Sequence, residues 1–275
     1  MTTLNWIRGV NRTLGHLAPQ QVAARMRLAF MRPHTRPPHD WELPLLARAE
    51  RVTLRFGLSV LRWGQGPTVL LMHGWEGRPT QFAALIEALV QGGYSVVALE
   101  GPGHGRSRGS QAHVVLFAHA LLEAAAQLPP LRAVIGHSMG GAAALLASQW
   151  GLKAEVLVSV SAPARILGML RNFAAHVGLP ARARSAFIRQ VEHTVGIAAA
   201  QLDVSRYQLE MPGLIVHADN DPLVPVAEAH AIHKAWFGSR LLVLPQGGHQ
   251  RVLADPQLLD GVLGLLSHSP ARQSA

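Results

Sequence analysis

Ser138 stands between Gly136 and Gly140, where the residue pattern changes from one typical of a strand to one typical of a helix. The apolar, β-branched run before it favours a strand, and the alanine-rich run after it favours a helix. A G-x-S-x-G pattern at such a corner presents the serine hydroxyl as a nucleophile. The alternative is that Ser138 only caps the helix that follows.

A serine hydroxyl is a weak nucleophile unless a base takes its proton, so this hypothesis requires a histidine and a carboxylate at the ends of other strands. Asp219 and Asp221 follow the apolar run in LIVHADND, and His249 follows the next run in LLVLPQGGH. We select His249 from the fifteen histidines because it lies on a glycine-rich loop after the last predicted strand. The residues alone leave the choice between the two aspartates open.

Short apolar segments alternate with segments of helix length along most of the chain. A hairpin is predicted at 52–63, and the later apolar runs suit strands that are buried on both faces. Alternation of this kind predicts an α/β fold with a mostly parallel, doubly wound sheet. The predicted strands after the hairpin are TVLLMHG (68–74), YSVVALEG (94–101), RAVIGHS (132–138), AEVLVSVSA (154–162), GLIVHAD (213–219) and RLLVLPQGG (240–248).

Two segments fall outside this alternation. Residues 163–209 contain no convincing strand and are too long for a simple connection, so we predict a helical cap inserted between two strands. Residues 1–50 are predicted to form an N-terminal helical arm that packs on the sheet domain or on the cap. The α/β core is then expected at 51–162 and 210–275.

The composition of the 275 residues excludes several classes of protein. Hydrophobic residues make up 49% and charged residues 15%, which is typical of a globular chain. The absence of cysteine excludes disulfides, thiolate metal sites and cysteine nucleophiles. Arg8 and Arg12 interrupt the first apolar residues, and no apolar run approaches the ~18 residues of a membrane span. We therefore expect a cytoplasmic protein.

The formal net charge of +9 is concentrated in two segments, with an excess of five in residues 1–40 and of four in residues 161–207. One interpretation is attraction to an anionic substrate or membrane through the arm and the cap, and the other is solubility alone. Neither segment carries a nucleic-acid motif, so we expect no nucleic-acid partner. No phosphate-binding loop or metal-ligand set is recognisable, so we also predict no cofactor and no metal.

Five motifs in order along the chain complete the pattern. With them the sequence resembles the α/β-hydrolase superfamily, and in particular its serine carboxylesterase and lipase-like members, over about residues 52–267. The motifs are HGW (73–75), EGPGHGRS (100–107), GHSMGG (136–141), HADNDPLVP (217–225) and PQGGH (245–249).

The resemblance decides between the two aspartates. In this family the acid usually stands three residues after a small residue and directly before a stretch such as PLVP. Asp221, three residues after Ala218, matches that pattern. The resemblance therefore implies that Asp221 orients the histidine, and we expect Asp219 to bond loop amides.

The resemblance also implies roles for the other site residues. Ser138 would attack a carbonyl carbon, and His249 would serve first as base and then as acid. The backbone N–H groups of Trp75 and Met139 would form the oxyanion hole. His104 and His137, in the family-like motifs, are expected to shape loops.

The implied function is hydrolysis of a small-molecule carboxylic ester through an acyl-enzyme. The same catalytic residues would also serve a thioesterase, a C–C bond hydrolase or a perhydrolase. A further alternative is a binding protein that has this fold but no catalytic activity. Apolar residues of the cap could pack as a core or line an acyl pocket facing the serine. They are Ile166, Leu167, Met169, Leu170, Phe173, Val177, Leu179, Phe187, Ile188, Val191, Val195 and Ile197.

Overall fold

The computed structural model of the chain describes residues 3–268. Within this range eight strands form one sheet, and the predicted α/β class with a mostly parallel, doubly wound sheet is confirmed. The strands are β1 Glu50–Leu54, β2 Leu58–Trp63, β3 Thr68–Met72, β4 Ser95–Glu100, β5 Leu131–His137, β6 Val156–Val160, β7 Gly213–Ala218 and β8 Ser239–Leu244.

The strands lie side by side in the order β1-β2-β4-β3-β5-β6-β7-β8. The hairpin of β1 and β2 is antiparallel, β2 is antiparallel to β4, and every later pairing is parallel. Every residue of β3, β4, β5 and β6 is buried, which explains their continuous apolar runs. Because β5 to β8 run parallel, the loops after them meet at one edge of the sheet.

Eleven α-helices lie within the described residues. They are α1 Thr3–Leu17, α2 Pro19–Met31, α3 Leu43–Ala47, α4 Ala83–Gln91, α5 Val114–Ala125, α6 Met139–Gln149, α7 Ile166–His176, α8 Ala181–Val195, α9 Val226–Ala235, α10 Gly248–Arg251 and α11 Pro256–His268. Across residues 3–268, none of these helices combines the length and the apolar character that crossing a bilayer requires.

The chain divides into two compact units. The sheet unit comprises residues 33–164 and 207–275, and the helical unit comprises residues 1–32 and 165–206. In the sheet unit, apolar side chains of β3 to β7 pack against those of α4 and α11 in a buried core that includes Leu71, Phe82, Leu89 and Val262. This core holds the strand ends at which the candidate site lies.

The helical unit joins α1 and α2 to the two cap helices α7 and α8. Its core contains Met26 of α2 and Phe187 of α8, and the ring of Phe187 stacks on Phe173 with centroids 5.4 Å apart. Five of the twelve apolar cap residues named above belong to this buried cluster, five more pack against it, and Met169 and Ile197 are the two outside it. Most of the apolar cap residues therefore serve packing within the helical unit.

Specific hydrogen bonds also fix α1 within the helical unit. Asn11 is 4% exposed and donates from Nδ2 to the carbonyl oxygen of Val177 at 2.7 Å. Arg8 donates from Nε to the carbonyl oxygen of His176 at 2.6 Å. Both acceptors lie at the end of α7, where helical carbonyls lack partners four residues further on.

Candidate active site

Ser138 lies at the corner between β5 and α6, as the residue pattern predicts. Its φ is 54° and its ψ is −123°, a backbone conformation that non-glycine residues rarely adopt and that costs about 1–3 kcal/mol. The corner is held by hydrogen bonds from the rest of the sheet unit. The N–H of Ser138 donates to the carbonyl oxygen of Val160 at 2.8 Å, and the N–H of Ala142 donates back to the carbonyl oxygen of Ser138 at 3.1 Å.

Gly140 allows the first turn of α6 to approach the end of β3. A Cβ atom at position 140 would lie 2.3 Å from the carbonyl oxygen of Met72 and 2.4 Å from that of His73. Because both obstacles are backbone atoms, a larger residue would push the helix away from the strand. The glycine after the serine therefore brings the corner against the loop that follows β3.

Asp221 lies on the loop after β7 with its side chain fully buried. Its Oδ1 accepts hydrogen bonds from the N–H groups of Leu223 at 2.8 Å and Val224 at 3.0 Å. Its Oδ2 accepts from Nδ1 of His249 at 2.7 Å. Burial by itself raises the pKa of this carboxyl group, but these hydrogen bonds outweigh it and hold the pKa below its usual value.

His249 begins the short helix region after β8, on a loop where Gly247 and Gly248 have φ of 122° and 59°. Its Nε2 lies 2.9 Å from Oγ of Ser138, while its Nδ1 contacts Asp221. One imidazole therefore makes hydrogen-bond contact with both the hydroxyl and the carboxylate. The three side chains that the sequence analysis selected are adjacent in space, although 111 positions separate Ser138 from His249.

The acid loop and the histidine loop are also tied to each other. Asn220 accepts at Oδ1 from the N–H of Gly248 at 2.8 Å and donates from Nδ2 to the side-chain oxygen of Gln246 at 2.9 Å. Sequence reasoning missed this residue, and its place next to Asp221 is the one signal that could have identified it. The contact fixes the distance between the two loops that carry Asp221 and His249.

His217, at the end of β7, is fully buried beneath the acid loop. It donates from Nε2 to the carbonyl oxygen of Val224 at 2.8 Å, and the same nitrogen lies 3.6 Å from Oδ2 of Asp221. Burial lowers the pKa of His217. A neutral His217 closes the turn around Asp221 without adding a second positive charge beside His249.

Two buried histidines shape the loop after β3, which carries Trp75. His73 donates from Nδ1 to the carbonyl oxygen of Gly74 at 2.7 Å and accepts at Nε2 from the N–H of Gly101. His104 accepts at Nε2 from the N–H of Glu76 at 3.1 Å. Burial, together with neighbouring charges, lowers the pKa of His73 to about 3, and burial lowers that of His104. Both rings act as neutral loop supports, as expected for His104.

Trp75 and Met139, which we predicted to supply the oxyanion hole, follow residues that lie against the serine. A Cβ atom at Gly74 would lie 2.9 Å from Cβ of Ser138, so the chain just before Trp75 passes beside the nucleophile position. Met139 is the first residue of α6, and its N–H has no carbonyl oxygen four residues earlier within the helix.

The expectation for Asp219 is wrong. This residue is exposed, and within residues 3–268 its carboxylate accepts no hydrogen bond from a loop amide. Its own N–H donates to the carbonyl oxygen of Leu244 at 2.7 Å. The amide-bonding function belongs to Oδ1 of Asp221, because that atom faces the turn while Asp219 points outward from the end of β7.

Comparison with known proteins adds a family match. Residues 66–192 match the family model described as Hydrolase_4, serine aminopeptidase, S33. This match includes the serine corner and the loop after β3, and it ends before the loops of Asp221 and His249.

Curated relatives extend over more of the chain. A pimeloyl-(acyl-carrier protein) methyl ester esterase of Xanthomonas oryzae pv. oryzae (strain MAFF 311018) is 26% identical over 228 residues, covering 68% of this chain and 89% of the relative. An esterase of the same description from Aeromonas hydrophila subsp. hydrophila is 25% identical over 245 residues, covering 73% of this chain and 95% of the relative.

A solved structure gives the same result for the fold. The esterase EaEST of Exiguobacterium antarcticum superposes with a TM-score of 0.60 and 18% sequence identity, covering 79% of this chain and 98% of that chain. At this level of identity the likeness establishes a shared fold.

Proposed function

We propose that the chain, which has the α/β-hydrolase fold, is a serine hydrolase that cleaves carboxylic esters with Ser138, His249 and Asp221 as its catalytic residues. The observation that carries the proposal is the position of one imidazole, whose two nitrogens lie 2.9 Å from Oγ of Ser138 and 2.7 Å from Oδ2 of Asp221. A base that is oriented by a carboxylate and in contact with a hydroxyl is the arrangement that activates a serine.

In the first half of the reaction, Oγ of Ser138 attacks the carbonyl carbon of the ester while Nε2 of His249 takes the hydroxyl proton. The imidazolium then returns this proton to the alkoxide that leaves, so that an alcohol departs and an acyl-enzyme remains. Asp221 stays ionised, because its hydrogen bonds hold its pKa low, and it stabilises the positive imidazolium.

The negative charge that develops on the carbonyl oxygen needs donors at the moment of attack. We assign these donors to the N–H groups of Met139, at the first turn of α6, and of Trp75. Main-chain donors at a helix start favour an anion, and each such donor contributes about 2.7–4 kcal/mol to transition-state stabilisation in enzymes of this kind.

In the second half, His249 removes a proton from a water molecule that attacks the acyl-enzyme, and it then returns the proton to Oγ of Ser138. The products are a carboxylic acid and the regenerated serine. No proton is gained or lost by the protein over the cycle.

The relatives support a carboxylic ester as the substrate class, because two of them are methyl ester esterases. The same steps would also cleave a thioester. A C–C bond hydrolase or a perhydrolase would use the same three side chains, and the substrate panel below separates these reactions from ester hydrolysis.

A labelling experiment tests the proposal. The protein is treated with a fluorophosphonate, digested, and examined by peptide mass spectrometry, with Ser138→Ala and the exposed Ser185→Ala as variants. We expect one adduct on Ser138, no adduct in Ser138→Ala, and unchanged labelling in Ser185→Ala. Labelling at another serine, or no labelling of the folded protein, would contradict the proposed nucleophile.

A substrate panel tests the bond that is cleaved. The protein is assayed with p-nitrophenyl esters of increasing acyl length, with the matching thioesters and with a β-diketone. We expect kcat/KM to be highest for an ester. Higher kcat/KM for the thioester or the diketone would reassign the reaction, and absence of turnover together with tight ligand binding would indicate a silent binding protein.

A further inference from the structure

The charge of the chain is carried by its helical unit. Residues 1–32 and 165–206 contain eleven arginines and two acidic residues, an excess that equals the +9 of the whole chain. The sheet unit is therefore electrically balanced. Such a separation attracts a negatively charged partner to the helical unit specifically.

The arginines of α2 and α8 are repeated on single faces of these helices. Arg25 of α2 and Arg32, the residue that follows α2, are seven residues apart, as are Arg182 and Arg189 of α8, so each pair has the spacing of one helix side. All four are exposed, and none forms an ion pair with a carboxylate of residues 3–268. Arg12 of α1 has the same properties. These cations are available to an external anion.

One side of the exposed surface of α1 is apolar. Trp6, Val10, Leu14 and Leu17 follow the spacing of one helix face, and the exposed fractions of Trp6, Leu14 and Leu17 are 61%, 46% and 78%. A neighbouring side of α1 packs within the helical unit, because Asn11 bonds Val177 there. Single exposed apolar residues are normal, but a row of them along three turns of one helix indicates a surface that another molecule covers.

Leu28 is an exposed apolar residue on α2. It is 52% exposed and lies on the same face as Arg25 and Arg32. A helix that combines an exposed apolar row with an aromatic ring and flanking cations is the type that lies in the plane of a membrane surface. The row from Trp6 to Leu17 is about 16 Å long, which allows all its side chains to enter the headgroup region to a similar depth.

We propose that the helical unit docks on an anionic lipid bilayer, with the Trp6–Leu17 row of α1 entering the headgroup region and Arg25 and Arg32 contacting lipid phosphates. This inference does not depend on the reaction proposed above. A second copy of the chain is disfavoured as the occupant, because it would place an equal excess of positive charge against the first. An acidic protein is the competing occupant, and its binding without any binding to vesicles is one outcome of the test below.

Vesicle flotation with the full chain tests the proposal. Vesicles of phosphatidylcholine alone are compared with vesicles that contain phosphatidylcholine and phosphatidylglycerol at 7:3, at low and at raised sodium chloride. We expect binding to the anionic vesicles at least tenfold stronger than to the neutral ones, with the difference reduced by salt. Equal binding to both vesicles, or binding to neither, would overturn the proposal.

Two sets of variants separate charge from apolar contact. Replacing Arg25 and Arg32 by Gln is expected to weaken binding about 25-fold, since each cation near such a surface contributes about fivefold. The matched control replaces Lys153 and Lys234 of the sheet unit by Gln and is expected to change binding by less than about threefold. Equal losses in both sets would contradict a surface on the helical unit.

The apolar set replaces Trp6, Leu14 and Leu17 by Ser, and its control replaces the exposed Phe56 and Phe237 of the sheet unit by Ser. Binding is expected to fall at both salt concentrations in the first set and to remain in the control. Circular dichroism and the thermal midpoint establish that each variant is folded, independently of any enzymatic assay. A chain that binds an acidic acyl-carrier protein but no vesicle would overturn the proposal in favour of a protein partner.

Discussion

The side chain of His137 donates a hydrogen bond from Nε2 to the main-chain carbonyl oxygen of His249 at 2.7 Å, across 112 positions of the chain. His137 is 3% exposed, and its ring centroid lies 4.9 Å from that of His249. The residue directly before the proposed nucleophile therefore holds the backbone of the proposed base. The flexible glycines before His249 make such an external support necessary.

Replacing His137 by Phe is expected to lower kcat/KM for a carboxylic ester by roughly 10- to 100-fold, because loss of this donor leaves a buried carbonyl unpaired and allows His249 to shift. Replacing His137 by Gln keeps an N–H donor of similar reach and is expected to retain most of the activity. The measurement is steady-state kinetics of both variants beside the unmodified protein. Equal losses in the two variants would show that the hydrogen bond itself has no influence.

Replacing Asp221 by Asn is expected to lower kcat by about four orders of magnitude, because an amide does not hold the imidazole in the required tautomer or stabilise its positive charge. Asp219→Asn is the matched control, since this aspartate is exposed at the end of the same strand. Its kcat is expected to change by less than about twofold. A larger loss in Asp219→Asn than in Asp221→Asn would reverse the assignment of the acid.

Replacing Gly74 by Ala is expected to reduce kcat/KM by about 100-fold or more, because the added Cβ would lie 2.9 Å from Cβ of Ser138 and displace the loop beside the nucleophile. Gly264→Ala in α11 is the control, since a Cβ atom there would have nothing within 4 Å. The control is expected to keep its activity and to gain up to about 1 kcal/mol of stability from the better helix former. Full activity of Gly74→Ala would contradict the close approach of this loop to the serine.

Acid is expected to destabilise the fold through its buried histidines. The pKa of His73 is lowered to about 3 and that of His137 to about 4, in each case mainly by burial, from 6.5. Below pH 6.5 these histidines therefore bind protons in the unfolded chain but stay neutral in the folded chain. The free energy of unfolding is highest above pH 6.5 and decreases as the pH falls towards 4. At pH 5 the loss is about 2 kcal/mol for each residue.

Urea unfolding at pH 7 and pH 5 measures this loss. The free energy of unfolding is expected to fall by roughly 4 kcal/mol from these two histidines, and by about 2 kcal/mol less in His137→Gln. His104, His113 and His217 act in the same direction, because burial lowers their pKa values as well. Equal stability at the two pH values would contradict the neutral state of the buried rings.

The strands could be predicted because buried parallel strands have continuous apolar runs that end at turn residues. The position of β4 between β2 and β3 could not, since the order of strands depends on which pairing the whole chain allows. Periodicity likewise indicated helices near the N-terminus. It did not show whether these helices bury their apolar residues against the sheet domain or against the cap, because both arrangements fit the same pattern.

In the candidate site, too, some features could be predicted from the sequence and others could not. Ser138, Asp221 and His249 could be selected from the sequence because their side chains define short motifs in a fixed order, and their catalytic roles stay predictions. The supports formed by His137 and Asn220 could not be predicted in this way, since they act on a backbone carbonyl oxygen and a backbone N–H that any residue type supplies.

The helical unit takes its two halves from distant parts of the chain, and this has a consequence for biosynthesis. Roughly 130 residues separate Met31 from Ile166, so a ribosome that adds about 5–20 residues per second exposes α2 for on the order of ten seconds before its partner helices exist. During that interval Val22 and Met26 have no core to enter. The apolar residues of α2 therefore stay without their final packing until translation has passed α8.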